Sequence, residues 1–178
     1  MSLGAGALRI IATGGTFDKQ YDPIAGELTF TESHVAAIVA QSRLTVPTAV
    51  EVLALIDSRD MRDQHRERIL AACRCSSEAA IVVIHGTDTM CESARLLGPS
   101  FGGEVDQSRK TVVFTGAMIP CTITNSDALI NFGFACACAQ ILPYGVYLAM
   151  NGCVFAWNKV RKNKEAGIFE EGEPVFPI

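Results

Sequence analysis

The chain has no excess of basic charge: its formal net charge is −4 at pH 7. Nucleic acids and acidic membrane surfaces need a basic face, so they are excluded as general partners. There is no C-x-x-C pair, and there are three histidines, none at ligand spacing from the seven cysteines. A zinc site therefore has no readable ligand set, and no metal is expected. Cys73/Cys75 and Cys136/Cys138 stand two residues apart, which on a helix turns each pair to different faces. The odd cysteine count and the apolar surroundings of several of them suit reduced thiols in a cytoplasmic protein. No basic region precedes the first apolar run from Met1 to Leu8 and beyond, and Gly14-Gly15 cuts that run short, so no signal peptide is expected. The longest apolar region, Phe132 to Met150, is interrupted by Gln140, Pro143 and Gly145 and is not a membrane span. G-x-G-x-x-G and P-loop motifs are both missing, which leaves nucleotide binding without a motif.

What is present is a folding composition, 49% hydrophobic and 19% charged over 178 residues. That is the reverse of a disordered chain and enough for one well-buried core, so residues 1–178 are expected to form a single domain. Apolar runs alternate with helical patterns. Strands are expected at Leu8–Ala12, Val50–Ile56, Ala79–Ile84, Thr111–Thr115 and Val146–Met150, with a short β segment at Cys153–Phe155. Helices are expected at His34–Arg43, capped by Thr31-Glu32-Ser33, then at Asp63–Cys73, Cys91–Leu97, and from a Ser126-Asp127 cap to about Gln140. Residues 17–29 read as a loop, with Asp22-Pro23 and Gly26 as breakers, and residues 158–178 as a wrapping tail. Continuous apolar strands separated by helices predict an α/β fold, a parallel sheet covered on both faces in three layers.

Four expected strands end in small or polar residues, and a parallel sheet sets such ends along one edge, where ligands bind. These ends carry Thr16, Ser58, Thr87-Asp88 and Gly116-Ala117. A threonine hydroxyl becomes a nucleophile when a neighbouring base takes its proton. Asp88 beside Thr87 can orient such a base, for instance a lysine brought near by the fold. Backbone N–H groups around Gly86-Thr87 and Gly116-Ala117 can hold an oxyanion. Plainer readings stand beside these. Thr13-Gly14-Gly15-Thr16 can be a turn with a cap, Thr87-Asp88-Thr89 a helix N-cap, Ser58 a loop hydroxyl, and Lys159–Lys164 a solvated charge run. His85, after an apolar strand, reads as a hydrogen-bonded core histidine rather than a base.

Taken together, Ala12-Thr13-Gly14-Gly15-Thr16, Asp57-Ser58-x-Asp60-Met61, His85-Gly86-Thr87-Asp88-Thr89-Met90, Thr115-Gly116-Ala117-Met118 and Ser126-Asp127 resemble the bacterial-type asparaginase/glutaminase family, in order and in approximate spacing. The resemblance implies a Rossmann-like or flavodoxin-like sheet of the asparaginase N-terminal domain type, in a short single-domain form. It implies hydrolysis of the side-chain amide of asparagine, glutamine or a related small amide, without metal or organic cofactor. By position it makes Thr16 the nucleophile and Tyr21 its activating tyrosine, with Thr87, Asp88 and Lys162 completing the catalytic group. Ser58 would hold a substrate carboxylate, Asp88 would also meet the α-amine, Ala117 would line the amide end, and Gly86 is a further substrate-binding position. Arg59 stands where members usually carry glutamine or another neutral residue, and there it can clamp a carboxylate or crowd out the usual substrate. The resemblance further implies a homo-oligomer. Two other functions remain open: a non-catalytic module binding a small amino acid or acidic metabolite, and an amidase component of a larger assembly.

Overall fold

The computed structural model describes residues 6–101 and 108–175. The start of the N-terminal reading, Met1–Ala5, and the last three residues of the expected tail lie outside them. Among the described residues, ten strands and four α-helices follow in chain order: β1 (Leu8–Gly14), β2 (Gln20–Asp22), β3 (Glu27–Thr29), α1 (Val35–Gln41), β4 (Thr48–Ile56), α2 (Asp63–Cys75), β5 (Ala80–Ile84), α3 (Met90–Leu97), β6 (Thr111–Thr115), α4 (Ala128–Ile141), β7 (Gly145–Met150), β8 (Cys153–Ala156), β9 (Val160–Asn163) and β10 (Ile168–Glu171).

Six strands form the central sheet in the order β4-β1-β5-β6-β7-β8. The first five are parallel. β5 and β6 are buried at every residue, as expected of strands covered on both faces. On one face α1 and α4 pack Val35, Ile38, Phe132 and Ala135 against Leu8, Ile10 and Val82. On the other, α2 and α3 pack Ile69, Cys73, Met90 and Leu97 against Ile11, Ile81, Val83 and Phe114. The result is the expected three-layer α/β architecture, with the flavodoxin-like order of parallel strands.

The structure corrects the sequence reading at four places. The sheet is mixed, not wholly parallel: β8 runs antiparallel to β7, with Met150 opposite Cys153. Only Asn151 and Gly152, both at positive φ, connect the two strands, and so short a loop makes a hairpin rather than a crossover. Residues 17–29 are not simple loop. After a 3-10 turn at Thr16–Asp18 they form the β2–β3 hairpin. Asp22 closes its turn by accepting from the N–H groups of Ile24 and Ala25. The start of α1 is held from a distance rather than by the local cap alone. Buried Asp18 accepts from His34 N at 2.9 Å and from Ser33 Oγ at 3.0 Å. Finally, the expected tail contains a second hairpin, β9–β10, whose Val160 and Phe169 join the core beside α3.

Candidate active site

In this strand order the chain lays down β4 on one side of β1 and β5 on the other. The switch between β1 and β5 opens a crevice at their carboxyl ends. β4, β1, β5 and β6 are neighbours, so the loops bearing Ser58, Thr16, Thr87-Asp88 and Ala117 lie side by side on one edge.

Close backbone packing draws these loops together. Gly15 adopts φ 70°, ψ −173°, a conformation closed to residues with a Cβ, and accommodates Gly86. A Cβ on Gly15 would lie 2.4 Å from Gly86 Cα, and one on Gly86 would lie 2.6 Å from Ser58 Oγ. The Thr16 turn, the Thr87 loop and Ser58 therefore meet at glycine. Thr13, next to the turn, ties the two strands by donating from Oγ1 to Ile84 O at 2.8 Å. Thr89 ties the β5 and β4 loops by donating to Ser58 O at 2.7 Å.

Lys162 reaches this edge from β9. Its Nζ donates to Thr87 Oγ1 at 2.7 Å and to Asp88 Oδ1 at 2.6 Å. The Lys162 side chain is 9% exposed and that of Asp88 35%. So Thr87 and Asp88 do not cap α3, whose N-terminus has no side-chain cap bond among the described residues. Lys162 does not belong to a solvated charge run either. Val160 is fixed through its carbonyl, which accepts from Arg95 Nη2 at 2.9 Å, and this anchors the strand that carries the lysine.

Ala117 is fully buried, and the loop after it is built by α4. Asp127 accepts from Met118 N and Ile119 N at 3.0–3.1 Å and from Asn131 Nδ2 at 2.9 Å. Asn131 also donates to Gly116 O at 3.0 Å. The expected cap is thus divided: Ser126 accepts from Ala128 N while Asp127 shapes the loop. The N–H groups of Thr87 and Ala117 donate to no protein group among the described residues. Ser58 is buried and Thr16 half-buried.

His85 is a core histidine. Nδ1 donates to Gly86 O and Nε2 accepts from Ser93 Oγ, each at 2.7 Å. Burial pushes its pKa down to about 4, so the ring is neutral and shapes the Gly86 turn. Tyr21 is not brought into the group. Its side chain is 59% exposed on β2, and no hydrogen bond among the described residues joins it to Thr16, Thr87 or Lys162.

Two neighbours escape a reading of the sequence. Lys19 Nζ pairs with Asp57 Oδ2 at 2.6 Å. Arg59 takes the same carboxylate through Nε and Nη2, each at 3.1 Å, and its Nε lies 3.7 Å from Asp88 Oδ2. The Arg59 hydrogen bonds and Lys19 hold the Asp57 carboxyl well below the usual carboxylate range. Asp57 opens the motif that carries Ser58, but nothing local marks Lys19.

The family model described as "Asparaginase, N-terminal" matches residues 7–169. The chain belongs to the asparaginase N-terminal family. Among curated relatives, this asparaginase-family chain is 29% identical to L-asparaginase 1 of Escherichia coli K12, over 96% of its own length and 52% of that protein. It is 28% identical to a glutamyl-tRNA(Gln) amidotransferase subunit of Thermofilum pendens, over 81% of its length and 33% of the relative. Solved structures agree on the fold. The thermostable L-asparaginase of Thermococcus kodakarensis superposes with a TM-score of 0.78 at 23% identity, covering 93% of this chain and 51% of that one. The probable cytoplasmic L-asparaginase of Campylobacter jejuni gives 0.75 at 28% identity, covering 88% and 49%. The family chain spans about half the length of the L-asparaginases it matches. Among the described residues no helix is long and apolar enough to cross a membrane.

Proposed function

We propose that the protein is an asparaginase-type amidohydrolase, releasing ammonia from a small carboxylic acid amide. The observation that carries this reading is Lys162 Nζ set between Thr87 Oγ1 and Asp88 Oδ1, on the loop that the Gly15–Gly86 approach brings to the Thr16 turn. Thr16 Oγ1 attacks the amide carbon. The N–H groups of Thr87 and Ala117 stabilise the oxyanion, the C–N bond breaks, and ammonia leaves with a proton supplied from the site. Water then attacks the acyl ester and returns the hydroxyl. Thr87 Oγ1 relays the proton of the attacking group to the Lys162–Asp88 pair, with which it is hydrogen-bonded through Nζ. Tyr21, on the exposed β2–β3 hairpin, serves Thr16 once the hairpin closes over substrate. Ser58, Arg59 and Gly86 bind the non-reacting end. Seven free thiols favour a reducing compartment, the cytoplasm. The outward apolar residues of α4, Leu129, Ile130 and Ile141, favour a homo-oligomer, which light scattering checks.

The test is ammonia release from a panel including asparagine and glutamine. Thr16→Ala and Thr87→Ala should each lower turnover by about 10²-fold or more. Robust turnover untouched by both removes the mechanism. A second reading, an amidase component of a larger assembly, is favoured by the likeness to the amidotransferase subunit. A native pull-down that returns only copies of this chain counts against it.

A further inference from the structure

The mouth of the site is crossed by a row of alternating charges: Lys19, Asp57, Arg59, Asp88, Lys162. Successive separations are 2.6, 3.1, 3.7 and 2.6 Å. Cations stand at both ends and in the middle. Asp57 is held by Arg59 and Lys19, while Asp88 gives Oδ1 to Lys162 and has Arg59 beside Oδ2. Asp60, the remaining acid near Arg59, is exposed, makes no ion pair among the described residues, and couples to Arg59 more weakly than Asp57 and Asp88 do. Asp88 Oδ2 accepts no hydrogen bond among the described residues, and Arg59 Nε, 3.7 Å away, is the cation that a ligand's ammonium would meet there. One that approached Asp88 would press against the Arg59 guanidinium. Arg59 itself is 69% exposed, and its Nη1 has no protein partner among the described residues. It therefore offers a donor toward a carboxylate oxygen, which a planar guanidinium suits.

We infer that Arg59 selects an amide whose far end is a bare carboxylate, the monoamide of a dicarboxylic acid without an α-ammonium, over a zwitterionic amino-acid amide. This rests on the amidohydrolase reading and names its substrate class. The reaction stays balanced as amide plus water giving carboxylate plus ammonium. The charge row also departs from what the family resemblance implies, in which Asp88 meets an α-amine.

The experiment compares succinamate with L-asparagine in ammonia release, and succinate with L-aspartate in calorimetry. Wild type, Arg59→Gln and Arg59→Lys are each measured. The wild-type kcat/KM for succinamate should exceed that for asparagine by about tenfold or more, since like charges brought together disfavour the wrong ligand strongly. Arg59→Gln should move the ratio at least about tenfold toward asparagine, and Arg59→Lys should restore part of it. Ammonia release that prefers asparagine, or a ratio unmoved by Arg59→Gln, overturns the inference and leaves the amidohydrolase reading standing. Succinate bound over aspartate in an Arg59-dependent way, with no ammonia from any amide, refutes the amidohydrolase and keeps the anion selectivity. Failure of both acids to bind overturns the selectivity.

Discussion

Two glycines at nearly the same φ separate the strain of a backbone conformation from the close approach that assembles the site. Gly15 has φ +70° and Gly26 φ +71°, but only Gly15 faces another backbone. A Cβ on Gly26 meets nothing within 4 Å, whereas one on Gly15 lies 2.4 Å from both Gly86 Cα and Gly86 N. Gly26→Ala should cost about 1 kcal/mol, the penalty of a left-handed alanine. Gly15→Ala takes on ε-region strain, ψ being −173°, of about 2 kcal/mol and a backbone overlap worth about 2 more. The total of about 4 kcal/mol is a large share of a domain's stability. With a urea m-value of about 2 kcal/mol/M, the midpoints should fall by about 0.5 M for Gly26→Ala and about 2 M for Gly15→Ala. Far-ultraviolet dichroism in urea reads both. Equal midpoint losses in the two variants would refute the claim that the Gly15–Gly86 contact holds the loops together.

The buried His85 ring has its pKa lowered from 6.5 to about 4, so the unfolded chain takes up a proton first as pH falls. Its contribution is whole above about pH 6.5 and lost progressively towards pH 4, about 3 kcal/mol in all. The depressed carboxyls of Asp57 and Glu78 start to cost stability only below 3.8 and 4.5, their unfolded values. His85→Gln should therefore flatten the urea midpoint between pH 6.5 and 4.5, and an unchanged slope there contradicts the assignment. Asp127→Ala removes the acceptor of the Met118 and Ile119 N–H groups, so hydrogen exchange at those amides should speed up and stability should fall by about 1–3 kcal/mol. Lys162→Met should lower ammonia release by about 10²–10⁴-fold. Undiminished release from that variant takes the lysine out of the chemistry.

The parts of this molecule that can be read from the chain are those governed by local pattern. β5 and β6 are buried on both faces, so their apolar runs are unbroken and their polar ends stand out. Thr16, Thr87 and Ala117 each follow such an end, which is why their adjacency is legible in the amino-acid sequence. The β2–β3 hairpin is not legible there, because three-residue strands are too short to show a period. Asp18 escapes notice because it caps a helix that begins some sixteen residues later. Lys162 is placed by resemblance alone. Seventy-five residues separate it from Thr87, and nothing in a basic stretch says which lysine turns inward. The same limit explains Lys19 and Asp57, 38 residues apart, whose carboxylate Arg59 also takes. The proposed nucleophile and oxyanion donors, Thr16, Thr87 and Ala117, sit at strand ends, where topology fixes them. The charges proposed to decide which amide enters sit on the rim, where no period constrains them and any carboxylate within reach can serve. Reaction type is therefore open to a reading of the strands. Substrate charge requires the folded row of ion pairs, and Arg59 is where the proposed substrate departs from asparagine.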